Sequence, residues 1–397
     1  MSNTFSLAFF ALVALILPSI HRNSAESAAT PSLRHAVRRA GAIRSAVESA
    51  AGTFLKNQQT VGLSVGIVKD GRRYIYHFGS TERDKQHPPT NRTLYAIGSI
   101  TKTFTGILLA QAAVEKRLHL DDDVRKYLDG DYSNLEYHGQ PIRLWQLINH
   151  TSGLPRNLPE DTDSLVGKEN DAAKRSVKEA ALLEGYTQEK FLHDLRLVRL
   201  TRVPGEKFSY SNAAAQLLGL VLERVFGKSY EEIVRIKITR RLKMPGTKVT
   251  LTPAEIARIP KAYSADDAFF PALSSRLPAA GSLKSTTADM LKYIEWNLSE
   301  KDEAVRLSHQ PAGDTVWSQD SRFTVGLNWQ ILRSPGQRTI FQHGYVPGFQ
   351  SMCVLCPELN QGIIILTNET VKSTPTNLSP LINQILKAID SRSISLP

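Results

Sequence analysis

The strongest constraint on the fold of this chain is a change in hydrophobic period along the sequence. Near the start, "VGLSVGIVKDGRRYIYHFGS" holds two β-rich runs that flank Asp70-Gly71, a dipeptide typical of hairpin turns. Beyond about residue 320 the apolar residues recur with a period of two, in runs separated by turn residues, which predicts an antiparallel meander. Between these regions, over about 120–300, the sequence predicts helices joined by long loops.

This order predicts an α/β (α+β) fold in which the N-terminal hairpin closes on the C-terminal meander to form one antiparallel sheet. A helix before the hairpin and an amphipathic helix over about 378–390 would flank that sheet. The first helix is predicted from residues near helical spacing: Leu33, Val37, Ile43, Val47 and Phe54. The predicted boundaries are one domain over 30–397, a sheet subdomain over about 30–115 and 280–397, and an inserted helical subdomain over about 116–279.

The first residues differ in composition from the rest of the chain. The uncharged run "FSLAFFALVALILPSI", residues 5–20, is 16 residues long. It is short for a bilayer span and typical of the apolar region of a signal peptide. We therefore predict a signal peptide over 1–27 and an exported protein, periplasmic or secreted. An uncleaved N-terminal anchor is the alternative.

Charge limits the classes of partner. The formal net charge of +11 suits anionic surroundings such as a cell-wall surface, and it equally suits a solvated basic surface with no partner. Nucleic acid is not expected, because no long Lys/Arg block is interleaved with aromatic residues. Five N-x-[ST] sequons fit either glycosylation in a eukaryotic secretory route or chance: Asn91, Asn149, Asn297, Asn368 and Asn377.

The chain has two cysteines, Cys353 and Cys356, in "MCVLCPE". Residues three apart in a strand point to opposite faces and lie about 10 Å apart, whereas a disulfide requires Cα atoms within about 7 Å. We predict two separate structural thiols. A metal site would need further ligands nearby, and none follow in the sequence, so neither metal nor cofactor is expected.

Two serines are candidate nucleophiles. Ser64 lies in G-x-S-x-G, the pattern of the α/β-hydrolase elbow, which requires a strand that turns directly into a helix. Here the strand runs on to a hairpin turn, so Ser64 is predicted to be a strand residue. In "IGSITKTFTG", Ser99 and Lys102 share one face at a predicted helix start. A partly desolvated lysine can serve as the base of a serine nucleophile, although a helix cap with a surface lysine fits the pair equally well.

Two later motifs add to this pair. In "SYSN", Tyr210 and Asn212 lie on one side of an extended segment before a helix, where they could relay a proton and hold a substrate amide. A packing tyrosine and a capping asparagine are the alternatives. In "FQHGYVPGF", the glycine-rich end of a strand could turn backbone N–H groups toward a substrate.

The ordered set S-I-T-K, Y-S-N and a late glycine-containing strand motif resembles the class C β-lactamase and DD-peptidase clan of penicillin-recognising serine hydrolases. Connecting phrases such as "LINHTSGLP" and "AAGSLKSTTADML" are similar as well, over roughly 55–385. The phrase "VTLTPAEIARIP" resembles the secreted D-alanyl-D-alanine carboxypeptidase/endopeptidase branch. The resemblance implies an acyl-enzyme on Ser99, with Lys102 and Tyr210 shuttling the proton. It also implies that Asn212 binds the acyl amide, and that the N–H groups of Ser99 and Tyr345 form the oxyanion hole.

The third motif departs from the family. Gln342-His343-Gly344 stands where K-T-G or H-x-G is expected, and neutral Gln342 cannot supply charge to a substrate carboxylate. A protonated His343 could substitute for it. The resemblance implies a DD-peptidase acting on D-Ala-D-Ala peptides, with β-lactam binding or hydrolysis. Two alternatives stay open: an esterase or acyltransferase, and a non-catalytic penicillin-binding or scaffold protein. The expected partner is a small-molecule or peptide substrate.

Overall fold

The computed structural model describes residues 31–58, 61–159, 185–264, 278–312, 323–370 and 378–397. The predicted signal peptide and the sequon at Asn377 lie outside these ranges. None of the helices in these ranges is long and apolar enough to cross a membrane. The chain divides into two compact units, residues 1–42 and 43–397. The described part of the first unit is the start of a helix, in which the residues at 37–39 and 41–42 are exposed.

The α-helices of the described residues are α1 (Pro31–Gln58), α2 (Thr101–Val114), α3 (Leu144–Ile148), α4 (Gln188–Leu197), α5 (Asn212–Phe226), α6 (Tyr230–Val234), α7 (Pro253–Ile256), α8 (Pro278–Gly281), α9 (Thr287–Ser299), α10 (Glu303–Ser308) and α11 (Leu378–Ile389). Single turns of 3₁₀-helix cover Gly98–Ile100, Val124–Tyr127 and Pro357–Leu359, and a π-helical turn covers Arg235–Thr239. Two of these elements, Gly98–Ile100 and α2, carry the first predicted motif.

The strands are β1 (Gly62–Lys69), β2 (Arg72–Gly79), β3 (Tyr95–Ala96), β4 (Glu136–Tyr137), β5 (Gln140–Pro141), β6 (Tyr263–Ser264), β7 (Lys284–Ser285), β8 (Phe323–Val325), β9 (Gln330–Ser334), β10 (Gln337–Val346), β11 (Phe349–Cys356), β12 (Gln361–Thr367) and β13 (Glu369–Thr370). Across the described ranges, the main sheet has seven strands in the order β2-β1-β12-β11-β10-β9-β8. Its neighbouring strands all pair antiparallel.

The N-terminal hairpin closes on the C-terminal meander, as the sequence predicts. Strand β1 pairs with β2 on one side and with β12 on the other, in a register that runs from Leu63 opposite Thr367 to Lys69 opposite Gln361. Asp70 and Gly71 both have positive φ, as the tight hairpin turn requires. The predicted α+β fold class with an antiparallel sheet is confirmed.

The two faces of the sheet bury different helices, because side chains alternate along each strand. On one face, Leu63, Val65 and Ile67 join a cluster with the part of α1 from Ile43 onward and with α11. The other face packs against α9, and its buried side chains join a second cluster that includes α2. Cys353 belongs to the second cluster and Cys356 to the first, and both are free and buried. The prediction of two separate thiols is therefore confirmed.

Helix α2 is the central helix of the second unit. Its side chains are buried on every side from Thr101 to Ala112, which fits a helix that is apolar around most of its circumference. Lys102 lies in this buried stretch, so the helix carries an amine into the protein interior. The division of the chain into a sheet subdomain and a helical subdomain stays a prediction.

The sequons are mostly inaccessible. Asn149, Asn297 and Asn368 are fully buried, and each side-chain nitrogen donates to a backbone carbonyl, of Ala312, Tyr293 and Lys261 respectively. A glycan at these three positions is incompatible with the fold. Asn91 is exposed. Among the described residues no group of three His, Cys, Asp or Glu side chains is placed to hold a metal ion.

Candidate active site

Ser99 lies in the 3₁₀ turn directly before α2 and is half-buried. The preceding Gly98 has a φ of +49°, in the left-handed region that favours glycine. A Cβ at Gly98 would lie 2.7 Å from the amide nitrogen of Tyr345 on β10. The glycine therefore allows β10 to approach the backbone beside the serine, and it sets Ser99 at the start of a buried helix.

Lys102 follows one helical turn later and is fully buried. Its Nζ lies 3.1 Å from Ser99 Oγ, 2.8 Å from Asn212 Oδ1 and 2.5 Å from the carbonyl oxygen of Ala280. Burial lowers the pKa of Lys102, because the charged form loses its hydration. If Lys102 is neutral, its two N–H groups can serve Asn212 and Ala280. The lone pair then faces the hydroxyl of Ser99.

Tyr210 completes a contiguous hydrogen-bonded set. Its hydroxyl lies 2.5 Å from Ser99 Oγ, and Lys102 Nζ lies 4.9 Å from the centroid of its ring. The residue precedes α5, whose N-cap is Ser211. The amide of the other neighbour, Ser209, donates to the carbonyl of His150 at 2.7 Å. Contacts on both sides therefore hold the tyrosine, and the predicted trio of Ser99, Lys102 and Tyr210 comes together.

Asn212 begins α5 on the same side of the site. Its Oδ1 accepts from Lys102, and its Nδ2 donates to Asn157 Oδ1 at 2.8 Å. The backbone amide of Asn212 donates to the carbonyl of Arg156 at 2.7 Å. Asn212 thus ties the buried amine to the loop that carries Arg156 and Asn157. The sequence did not mark either of those two residues as a site residue.

The third motif lies on β10, beside Ser99. A Cβ at Gly344 would overlap the carbonyl oxygen of Ile97, so only glycine permits this close approach of the strand. Ser351 on β11 reinforces the contact, since its Oγ donates to the same carbonyl at 2.9 Å. Tyr345, the next residue on β10, is 49% exposed and stands at the open side. The structure therefore brings Gly344 and Tyr345 to the serine.

The surroundings of Gln342 and His343 bear on whether either side chain could bind a substrate carboxylate. Gln342 is only 2% exposed, and its Oε1 accepts a hydrogen bond from Gln330 Nε2 at 2.9 Å. Burial lowers the pKa of His343, and the nearby Lys102 lowers it further. These directions disfavour the protonated His343 that would be needed to replace the missing family lysine at neutral pH.

The ring of His150 packs against the ring of Tyr210, a role that the sequence did not indicate. Its ring lies 4.3 Å from the ring of Tyr210, between centroids. His150 Nδ1 accepts from the amide of Ser211 at 3.3 Å, and Nε2 donates to Asn328 Oδ1 at 2.9 Å. Burial lowers the pKa of His150 to about 3, so the ring is neutral. The phrase "LINHTSGLP" was the only signal, and it showed family likeness without a role.

The buried neutral state of His150 predicts acid sensitivity. An unfolded histidine gains a proton as the pH falls through 6.5, whereas folded His150 resists protonation down to about 3. Stability is therefore lost as the pH falls through that window, by about 1.4 kcal/mol per pH unit. We expect the decrease in unfolding free energy between pH 7.5 and 5.0 to be about 2 kcal/mol smaller in His150→Gln.

Urea unfolding at the two pH values measures this difference. The exposed His193 provides the matched control, and His193→Gln should show the same decrease as the wild type. An equal decrease in wild type and His150→Gln would contradict the assignment of this acid sensitivity to His150.

Ser64 lies apart from this set. It is fully buried on β1, and its Oγ bonds to His77 Nδ1 and to the Tyr95 hydroxyl, each at 2.9 Å. His77 is its direct cross-strand partner on β2. Ser64 pairs with β2 on one side and with β12 on the other, and the strand does not turn directly into a helix. The prediction that Ser64 is a strand residue is confirmed.

Comparison with known proteins places this geometry in a family. Residues 45–386 match the family described as Beta-lactamase. "Protein flp" of Staphylococcus aureus (strain N315) is 27% identical over 341 residues, which cover 82% of this chain and 63% of that protein. The chain thus spans less than two thirds of that relative. "Beta-lactamase" of Escherichia coli (strain K12) is 24% identical over 351 residues, which cover 80% of this chain and 86% of the relative.

Solved structures share the fold. One is a Beta-lactamase/D-alanine Carboxypeptidase from Yersinia pestis complexed with citrate, with a TM-score of 0.74 and 24% identity. The match covers 88% of this chain and 99% of that chain. Another is a class C beta-lactamase, with a TM-score of 0.72 and 20% identity over 88% of this chain and 97% of that one. Because the family match spans most of its length, this chain belongs to the Beta-lactamase family and has the serine β-lactamase/DD-peptidase fold.

Proposed function

We propose that this protein is a DD-peptidase that hydrolyses D-Ala-D-Ala peptides through an acyl-enzyme on Ser99. The observation that carries the proposal is the hydrogen-bonded set in which Ser99 Oγ contacts both Lys102 Nζ and the Tyr210 hydroxyl. The family and the fold imply a serine hydrolase. In this proposal β-lactams act on the same serine, because they present a strained amide to the nucleophile.

The first step is activation of the serine. Neutral Lys102 takes the proton of the Ser99 hydroxyl, and Oγ attacks the carbonyl carbon of the substrate. The lowered pKa of Lys102 supports this role, since a lysine with an ordinary pKa would be protonated at neutral pH and could not accept the proton. Asn212 holds the amine on the serine and, as in the family, contacts the acyl amide of the substrate.

The second step stabilises charge and returns the proton. Negative charge develops on the former carbonyl oxygen, and we assign the backbone N–H groups of Ser99 and Tyr345 to that oxygen. The close approach of β10 to the backbone at Gly98 supports this assignment. The tetrahedral intermediate breaks its C–N bond, and the leaving amine takes the proton of the Tyr210 hydroxyl. Protonated Lys102 returns its proton to Tyr210, so both side chains end as they began. Water then hydrolyses the ester on Ser99 and regenerates the enzyme.

We also propose that the protein is exported, periplasmic or secreted. The uncharged run at residues 5–20 and the small residues after it support this location. The net charge of +11 supports a position near anionic cell-wall polymers, where D-Ala-D-Ala peptides are found. The chemistry involves no nucleic acid, and the proposed steps use only side chains, backbone amides and water.

An ester hydrolase or acyltransferase is the second candidate. The neutral Gln342, bonded to Gln330, favours it, because β10 then offers no fixed charge for the carboxylate of a peptide substrate. The nucleophile and the first step would be the same. The two candidates differ in the group that leaves Ser99 and in whether the substrate bears a carboxylate.

Intact-protein mass spectrometry separates the candidates. The protein is incubated with benzylpenicillin and, in parallel, with a simple p-nitrophenyl ester, and its mass is followed over hours. A lasting adduct that maps to Ser99 is expected for a DD-peptidase, and fast return to the free mass with the penicillin consumed would indicate a β-lactamase. Ester hydrolysis without a penicillin adduct would favour the esterase. No reaction with either probe would overturn the enzymatic proposal.

The acylation rate is expected to depend on the ionisation of Lys102. The base must be neutral, so the acylation rate should rise as the pH increases through the pKa of Lys102. At pH values below that pKa the acylation rate should be low. Since burial lowers that pKa, the midpoint of the rise should lie below 10.5, the ordinary value for lysine. Stopped-flow acylation with nitrocefin across pH 5–10 measures the midpoint. A rate that rises only at the ordinary lysine pKa, or does not change with pH, would contradict this assignment.

A further inference from the structure

The proposed peptide substrate bears a carboxylate, yet the β10 side of the site supplies no fixed positive charge. Gln342 is neutral, and its side-chain oxygen is engaged by Gln330. His343 resists protonation because it is buried and close to Lys102. The described stretch of β10 from Gln342 to Val346 therefore cannot hold a carboxylate by charge at neutral pH. A cation must come from another element if an anionic substrate is bound.

Arg156 presents such a cation beside Tyr210. Its side chain is exposed, and its Cζ lies 5.4 Å from the centroid of the Tyr210 ring. The face of an aromatic ring attracts a guanidinium group, so this contact orients the side chain over the tyrosine. Tyr210 in turn contacts Ser99. Tyr210 therefore contacts both the guanidinium group of Arg156 and the hydroxyl of Ser99.

The backbone of Arg156 is fixed to the catalytic set. Its carbonyl accepts from the amides of Asn212 and Ala213, at 2.7 and 3.4 Å, at the start of α5. The next residue, Asn157, is bonded to the side chain of Asn212. The arginine is thus anchored to the same residue that holds Lys102, although its own side chain extends to solvent.

The charge of Arg156 acts on the site and is not neutralised by a described carboxylate. It contributes to the lowered pKa of both Lys102 and His150. Across the described ranges, the ion pairs of the protein include other arginines and lysines but not Arg156. Among the described residues, no carboxylate therefore competes with a ligand for the guanidinium group over Tyr210.

We propose that Arg156 binds the carboxylate of the substrate's leaving group and sets the preference of the site for acidic substrates. In the proposed reaction Tyr210 protonates the leaving amine, so the leaving group lies at Tyr210, beneath the guanidinium. A planar guanidinium binds a carboxylate through two parallel N–H donors. Arg156 is thus a specificity residue on the loop after α3, which packs against the start of α5. It takes the role that the family gives to the strand motif, and this inference rests on the function proposed above.

Binding measured without turnover tests the inference. Isothermal calorimetry compares the binding of benzylpenicillin and of its methyl ester. The four proteins are Ser99→Ala alone and Ser99→Ala combined with Arg156→Gln, with Arg156→Lys or with Arg333→Gln. We expect Arg156→Gln to weaken binding of the acid by about tenfold to a hundredfold, as for a charged hydrogen bond, and that of the ester by less than twofold. Arg156→Lys keeps the positive charge but lacks the two parallel N–H donors. Its affinity for the acid should therefore lie between those of the proteins with Arg156 and with Arg156→Gln.

Arg333 supplies the matched loss of charge. It is exposed on β9 opposite Arg338, which lies six residues before Gly344 on β10, about 20 Å at the usual strand rise. Arg333→Gln should leave both affinities unchanged. Equal weakening of acid and ester in Arg156→Gln, an unchanged ratio, or no preference for the acid in Ser99→Ala would overturn the inference. Failure of the proposed function would be seen separately, as the absence of a Ser99 adduct in the wild type.

Discussion

Ser99→Ala is expected to abolish covalent labelling by benzylpenicillin, whereas Ser64→Ala should be labelled as the wild type is. Removal of a serine nucleophile lowers turnover on the order of 10⁶-fold in a well-studied serine protease, because no other group can form the covalent intermediate. Ser99 is half-buried and contacts Lys102 and Tyr210. Ser64 is enclosed between β-strands and cannot reach a substrate.

Mass spectrometry of the intact proteins and of their peptides measures the labelling. Ser64→Ala is the matched control, since it deletes a serine hydroxyl with two hydrogen-bonding partners, His77 and Tyr95. It should cost about 1–2 kcal/mol of stability without loss of the adduct. Equal loss of labelling in the two variants, with both folded, would contradict the assignment of Ser99 as the nucleophile.

Lys102→Met is expected to slow acylation by about 10²- to 10⁴-fold, the usual contribution of a general base. Methionine has a similar length and fills the same buried volume, but it cannot accept a proton. The hydroxyl of Ser99 then keeps Tyr210 as a partner and lacks the amine that would take its proton. The acylation rate constant with nitrocefin, measured in a stopped-flow instrument, gives the size of the effect.

Lys284 offers a matched control for this substitution. It is also buried, at 3% exposure, burial lowers its pKa to about 8, and its Nζ donates to the carbonyl of Val249 at 3.0 Å. Lys284→Met therefore removes a second buried amine of lowered pKa that does not face the serine. We expect it to retain most of the acylation rate. Comparable losses in the two variants would indicate a general effect of removing a buried lysine.

Much of the fold could be predicted from local patterns. The hairpin at Asp70-Gly71 and the period-two runs after residue 320 gave the strands, since alternation along a strand is a local property. The spacing of Cys353 and Cys356 gave their opposite faces for the same reason. The position of α2 inside the protein was less apparent, because helical periodicity does not report how many sides of a helix are covered.

The residues that support the site were harder to predict than the residues within it. Ser99 and Lys102 are one helical turn apart, so their contact follows from spacing. His150 and Arg156 reach Tyr210 across about 50 to 60 residues of chain, and their roles depend on tertiary packing. Burial also decided the state of Gln342 and His343, and a single sequence does not show which side of a strand is closed by a neighbour such as Gln330.

The register of β1 has a consequence for the order in which the protein folds. Strand β1 stands between β2 and β12, with Leu63 opposite Thr367, about 300 residues later in the chain. Pairing between such distant residues makes folding slow, because the entropy cost of closing a long loop comes before any stabilisation from the contacts. A nascent chain that has not yet produced β12 leaves one edge of the apolar β1 uncovered, which is a site for aggregation. Ser99 is synthesised early, but the main sheet closes only when β12 has been synthesised.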